Sequence, residues 1–237
     1  MSLNVKRYDK LALFDLDKTL LLGVKAHRRA FHKSFEKIFG IRASVDIIDH
    51  QGMTDKQILI EVLKKFGFEE EGIKARMPEW ISFMESEFKK AVKSEKIVAL
   101  PGTKELLEEL SKRSVLLGTV TGNLEPIGWG KLEKAGLKKY FMFGAFGSDA
   151  IERSVLVKTA LKKAKERFGF EFDGNNAFLF GDTPRDIKAG RSAGVKTIGV
   201  ATGNFSIEQL KESNADFVLR DLKDTKKVLE IIFKERV

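Results

Sequence analysis

Apolar residues follow two different rhythms along this chain, and the change between them divides it. From about residue 99 onward, short apolar runs alternate with stretches of helical spacing. Val115 to Val120 is a β-branched run that ends at Thr121-Gly122-Asn123 and predicts a strand. A helix from about Glu125 to Ala135 follows, stopped by Gly136. Phe141 to Phe146 is another short apolar run, and Arg153 to Phe168 then sets Leu156, Ala160, Leu161 and Ala164 on one helical face. Ala177 to Phe180 predicts a strand ending at Gly181-Asp182, Ile187 to Ala193 a helix, Val195 to Val200 a strand, and Phe217 to Leu219 a last one. Leu11 to Phe14 shares their character. Strands alternating with helices predict right-handed βαβ units: an α/β fold with a Rossmann-like parallel-sheet core and helices on both faces.

Between Leu20 and Leu100 the rhythm is helical throughout. Phe31, Phe35, Ile38 and Phe39 mark one face, and Ile58, Leu59, Val62, Leu63 and Phe66 a second. Ile73, Met77, Trp80, Ile81, Met84, Phe88 and Val92 mark a third, with Pro78 near its start. The expected organisation is a core of residues 1–21 and 99–237 interrupted by an all-helical cap of residues 22–98. Open parallel sheets bind ligands beyond the carboxyl ends of their strands. An insertion that leaves directly after the first strand therefore sits above that crevice as a lid.

Composition narrows the chemistry. The 237 residues include no cysteine, which excludes disulfides, thiolate metal sites and a cysteine nucleophile. Apolar runs such as Leu11 to Phe14 are far too short to cross a bilayer, so no membrane partner is expected and the chain reads as soluble and cytoplasmic. The net charge of +9 comes from lysines interleaved with glutamates, as in Lys162 to Arg167, without a compact basic tract. That pattern is a solvated surface rather than a nucleic-acid footprint.

Three strand ends carry pointed polar sequences. In Phe14-Asp15-Leu16-Asp17-Lys18-Thr19-Leu20, two aspartates at alternate positions share a face, so one could attack phosphorus while the other handles protons. Gly181-Asp182-Thr183-Pro184-Arg185-Asp186 again follows an apolar strand. Pro184 suits a first helical turn that Asp182 could cap; alternatively Asp15, Asp182 and Asp186 form an acidic nest of hard oxygens suited to Mg²⁺. Thr121, Gly122 and Asn123 offer a hydroxyl and backbone amides at a helix start, either a phosphate cradle or ordinary turn chemistry.

Together and in this order, Asp15-x-Asp17-x-Thr19, Thr121 and Gly181-Asp182-x-x-x-Asp186 resemble the haloacid dehalogenase-like hydrolase superfamily over nearly the whole chain, cap included. The resemblance implies a Mg²⁺-dependent phosphatase acting on a small phosphorylated metabolite, as a monomer or homodimer. It implies Asp15 as nucleophile, and Asp17 as general acid and base that also offers its backbone carbonyl to the metal. Asp182 becomes a further metal ligand, Asp186 a support of the metal site, and Thr121 a holder of the phosphoryl group. The family places a cation, usually lysine, after the third strand; here Arg153 stands at that place, with Lys158 one turn later as the fallback. Lys18 replaces the commoner glycine. The insertion resembles the first type of cap, as in phosphoglycolate phosphatase-like enzymes, and Asp49 to Asp55 resembles its specificity loop. There Gly52 and Thr54 would contact substrate, Gly52 by close backbone approach, and Thr54 could also cap the next helix. His27, Arg28 and Arg29 equally suit an anionic substrate or a solvated face, and neither His27 nor His32 is singled out.

Asp17, Asp182 and Asp186 argue against a metal-free dehalogenase. The Asp-Lys-Thr wording of P-type ATPases would need membrane spans. A phosphoglucomutase-like phosphotransferase shares every core residue and stays open, as does a non-catalytic phosphate-binding module.

Overall fold

Six parallel strands form the sheet, in the order β5-β4-β1-β6-β7-β8. In chain order these are β1 (Lys10–Phe14), β4 (Val115–Thr121), β5 (Phe143–Phe146), β6 (Ala177–Gly181), β7 (Lys196–Val200) and β8 (Phe217–Leu219). The computed structural model describes residues 7–23 and 25–233. The outermost residues assigned above to the core, and position 24 at the edge of the cap, lie outside the described residues. β1 lies between β4 and β6, with Phe14 opposite Thr119 on one side and Phe180 on the other. Both faces of β1 are buried: Ala12 and Phe14 enter one hydrophobic core, Leu11 and Leu13 the other. A strand covered on both faces must be apolar at successive positions, which is why these runs do not alternate.

Helices α4 (Thr103–Ser111), α5 (Glu125–Lys134), α6 (Arg153–Phe168), α7 (Pro184–Ser192), α8 (Ile207–Glu212) and α9 (Thr225–Phe233) cover the sheet. The periodicity read above does not identify α4, α8 or α9, all nine residues or fewer. α7 starts earlier than Ile187 because Thr183, not Asp182, caps it. The Thr183 hydroxyl accepts from Asp186 N while the Asp186 carboxylate accepts from Thr183 N, a reciprocal capping box. This is a correction with a chemical consequence, since it leaves Asp182 out of the cap.

The insertion comprises α1 (Lys25–Phe39), α2 (Asp55–Lys65) and α3 (Glu70–Ala91). Phe31, Phe35, Ile38, Leu59, Leu63, Trp80 and Met84 build its core, and the indole of fully buried Trp80 donates to Ser34 Oγ at 2.9 Å. α3 runs through Pro78, which lacks an N–H and so forgoes one helical bond. Two short strands, β2 (Leu21–Leu22) and β3 (Val98–Ala99), pair antiparallel where the chain leaves and rejoins the core. Leu124, just before α5, and Ile127 within it join the lid's apolar cluster, so lid and core share packed surface. Among the described residues no helix is long and apolar enough to cross a membrane.

Candidate active site

The carboxyl ends of three adjacent strands, β4, β1 and β6, deliver Thr121, Asp15 and Asp182 to one crevice. Each strand is a buried, mostly apolar run with its polar residue at or just beyond the carboxyl end, so register alone aligns the three. Asp15 N donates to Phe180 O at 2.9 Å, tying the end of β1 to β6. A cavity of about 320 Å³ opens above them, lined on the core side also by Asp17, Lys18, Gly122, Asn123, Arg153, Thr183 and Asn204. From the lid, His27, Arg28, Phe31, Asp46, Gln51, Gly52 and Asp55 complete it.

Arg153, the first residue of α6, is buried between carboxylates. Its Nη2 lies 2.5 Å from Asp15 Oδ1, its Nε donates to Asp186 Oδ1 at 2.7 Å, and its Nη1 donates to Gly52 O of the lid at 3.3 Å. A planar guanidinium suits this three-way bridge, whereas an ammonium is a single point charge. Lys158 is exposed and outside the cavity. Asp186 lies behind Arg153 rather than in the cavity lining. Its Oδ2 accepts from Thr183 N and Oγ1 and its Oδ1 from Arg153, so both oxygens are engaged in holding neighbours.

Asp17 is held from the other side. Its Oδ2 accepts from Asn123 Nδ2 at 2.9 Å and from Lys131 Nζ at 2.6 Å, while its Oδ1 is buried without a partner. Asn123 also donates to Thr121 Oγ1 at 2.6 Å, which leaves the threonine's own hydrogen free to point into the cavity. Lys131, fully buried on α5, is absent from the expectations above, and Asp55 and Arg185 enter there only within motifs, without a role of their own. A lysine four residues after Ile127 and just before Leu132, on the apolar face of a helix, is the signal that could have found it.

Burial raises the Asp15 carboxyl to about 7; Arg153 pulls it down, while Asp186 and Asp17 push it up. Burial also raises Asp182 to about 8, with Asp15 and Asp186 adding to the rise. For Asp17, burial is outweighed by the charge of Lys131 and the hydrogen bonds from Lys131 and Asn123, and its carboxyl stays below the usual range. Two adjacent carboxyls whose crowding Arg153 only partly offsets fit a divalent cation. Among the described residues no three acidic or imidazole side chains form a ready cage. Mg²⁺ needs none, because it keeps waters and takes only one or two carboxylates plus substrate phosphate.

The raised values carry a stability signature. From about pH 4 up to about 7 for Asp15 and about 8 for Asp182, the folded state retains a proton that the unfolded chain releases, so each group lowers stability as pH rises through its window. A fully shifted group contributes a slope of about 1.4 kcal/mol per pH unit. In chelator, the melting temperature of wild type minus that of Asp182→Asn should therefore become more negative from pH 5 to pH 8. A pH-independent difference would exclude the crowded acidic pair.

The specificity-loop residues divide. Gly52 lines the cavity with φ +74, and a methyl there would drive into Thr183 Oγ1. Thr54 does cap α2, accepting from Gln57 N at 3.1 Å, but its hydroxyl donates to Ile151 O and the residue does not line the cavity. Its expected substrate contact is corrected on that ground. Arg28 lines the mouth paired with Asp46, whereas Arg29 and His32 are exposed on α1 outside the cavity. Lys18 holds a left-handed φ of +66, and its ammonium donates to Gln51 Oε1 and Asn204 Oδ1.

This fold and crevice are those of a hydrolase of α/β architecture with a helical lid over its site. The chain belongs to the haloacid dehalogenase-like hydrolase family, whose model matches residues 12–200. It is 26% identical over 221 residues to a phosphoglycolate phosphatase of Aquifex aeolicus, covering 93% of this chain and 97% of that protein. It is 27% identical to the pyrophosphatase PpaX of Oceanobacillus iheyensis over 54% of this chain and 58% of that one. The structure of a hydrolase from Pseudomonas syringae superposes with a TM-score of 0.71 at 22% identity, over 94% of this chain and 99% of the other.

Proposed function

We propose that this hydrolase is a Mg²⁺-dependent phosphatase of small organic phosphate monoesters, with phosphoglycolate the first candidate substrate. The observation that carries the reading is the convergence of Asp15, Asp17, Thr121, Arg153 and Asp182 on one small, lidded cavity. Similarity to a phosphoglycolate phosphatase supports the substrate class.

An oxygen of Asp15 attacks phosphorus, the ester P–O bond breaks, and the leaving alkoxide takes a proton from Asp17. The phosphate dianion arriving beside Asp17 raises its proton affinity for that step. In the second half Asp17 takes a proton from water, which attacks the phospho-aspartyl group and releases phosphate and the Asp15 carboxylate. Arg153 fixes Asp15 and offsets phosphate charge, and the Thr121 hydroxyl donates to a phosphoryl oxygen. Asp15, Asp182 and the Asp17 backbone carbonyl would hold the metal, which neutralises charge between the two anions when bound.

Phosphate release from a panel of phosphoglycolate, sugar phosphates, nucleoside monophosphates and pyrophosphate, with and without EDTA, tests this. Turnover of a small monoester that EDTA abolishes and Mg²⁺ restores is expected. Metal-independent turnover, or none across the panel, overturns it. Transfer of the phosphoryl group to a second sugar instead of water would favour the phosphotransferase reading.

A further inference from the structure

Lys131 is a fully buried ionisable group to which the reaction above gives no part. Its ammonium has three hydrogens, and each meets a named acceptor: Asp17 Oδ2 at 2.6 Å, Asn123 Oδ1 at 2.8 Å and His27 Nδ1 at 3.1 Å. The first two belong to the core and the third to α1 of the lid. Because an ammonium only donates, Nδ1 must be the bare nitrogen of His27. Its Nε2 hydrogen then faces Asp55 Oδ2 at 3.1 Å, and that same oxygen accepts from Leu124 N at 2.8 Å, at the start of α5. The contacts form a loop from core to lid and back: Asp17, Lys131, His27, Asp55, Leu124.

A fully buried lysine on an apolar helix face is costly unless every donor is satisfied. Here satisfaction depends on the lid, since withdrawing α1 removes His27 from the set. The arrangement also makes the two oxygens of Asp17 unequal. Lys131 and Asn123 occupy Oδ2, while Oδ1 has no partner.

We propose that Lys131 is a positioning residue that pins the Asp17 carboxylate by Oδ2 in the orientation from which it exchanges protons with leaving group and water, and through His27 makes this alignment conditional on the lid being seated. The inference rests on the reading of Asp17 as acid and base.

The test compares kcat/KM, which reports steps through phosphoryl transfer to Asp15, for two probes with Mg²⁺ present. Ethyl phosphate needs its leaving group protonated; 4-nitrophenyl phosphate does not. Lys131→Met keeps the buried volume. It should lose about 100-fold on ethyl phosphate and less than about 5-fold on 4-nitrophenyl phosphate, the selectivity of lost general-acid catalysis. His27→Leu keeps the Asp17–Lys131 bond but cuts the tie to the lid, and should lose about 10-fold in the same direction. A merely structural role would depress both probes alike in both variants. That result, or no loss, overturns the proposal, and His27→Leu decides the matter if Lys131→Met does not fold by circular dichroism. Asp17→Asn runs alongside. If it discriminates between the probes and the Lys131 and His27 variants do not, the positioning role fails alone. If Asp17→Asn itself treats both probes alike, the acid–base reading of Asp17 fails first.

Discussion

Asp15→Asn folds and releases no phosphate. The carboxamide matches the carboxylate in shape, and its carbonyl oxygen still accepts from Arg153, so the packed end of β1 is unchanged. What disappears is the anionic nucleophile, and with it the phospho-aspartyl species. A loss on the order of 10⁴-fold or more is expected, in line with removal of other enzymic nucleophiles. Stability moves the opposite way. Burial and neighbouring acids make a charge at this position unfavourable, raising the carboxyl to about 7, so the neutral variant should melt at or above the wild-type temperature at pH 8. Phosphate release, intact-mass detection of the phosphoenzyme and a melting curve measure all three. Residual turnover of one per cent in a clean preparation would remove Asp15 from the role.

Arg153→Met has the second-largest effect, and it strikes fold and chemistry together. The guanidinium is shared by Asp15, Asp186 and the Gly52 carbonyl. Removing one partner of a buried ionic cluster leaves its carboxylates uncompensated, typically at a cost of about 3–5 kcal/mol. For a domain of this size that corresponds to a melting decrease of roughly 10 °C. Turnover should fall by at least about 10²-fold, since both the orientation of Asp15 and the charge facing phosphate are lost. Arg153→Lys restores charge without the fork and should recover stability more fully than activity. Lys158→Ala, on the exposed side of α6, should match wild type in both. An Arg153→Met protein that melts and turns over like wild type would contradict this account.

What the linear sequence discloses here follows from distance along the chain. β1, β4, β6 and β7 are readable because each is a buried parallel strand, hence a nearly uninterrupted apolar run. Asp15 and Asp182 are readable for the same reason, as the first polar residues after those runs, and Thr121 as the last residue of its run, ahead of a Gly-Asn turn. Residue functions set by partners far away are not. The Asp17–Lys131 bond spans 114 residues, and nothing near Lys131 distinguishes it from the solvated lysines around it except its place on the helix's apolar face. Thr183 and Asp182 are adjacent and both able to cap, and local sequence does not choose between them. Thr54 was legible as a cap, but its second bond to Ile151 O joins residues 97 positions apart.

The lid is fastened mostly to peptide oxygens. Arg153 and Arg185 of the core grip the carbonyls of Gly52 and Gln51, while Asp55 N, Thr54 Oγ1 and Lys56 Nζ grip those of Gly122, Ile151 and Ser148. A carbonyl survives almost any exchange of the side chain beside it. The stretch from 49 to 53 can thus be rewritten, Gly52 excepted, with these carbonyl grips intact and only the Asp49–Arg185 and Gln51–Lys18 side-chain bonds given up, like an interchangeable faceplate. Grafting such a segment from another enzyme should change which molecule is recognised before it changes whether the chain folds.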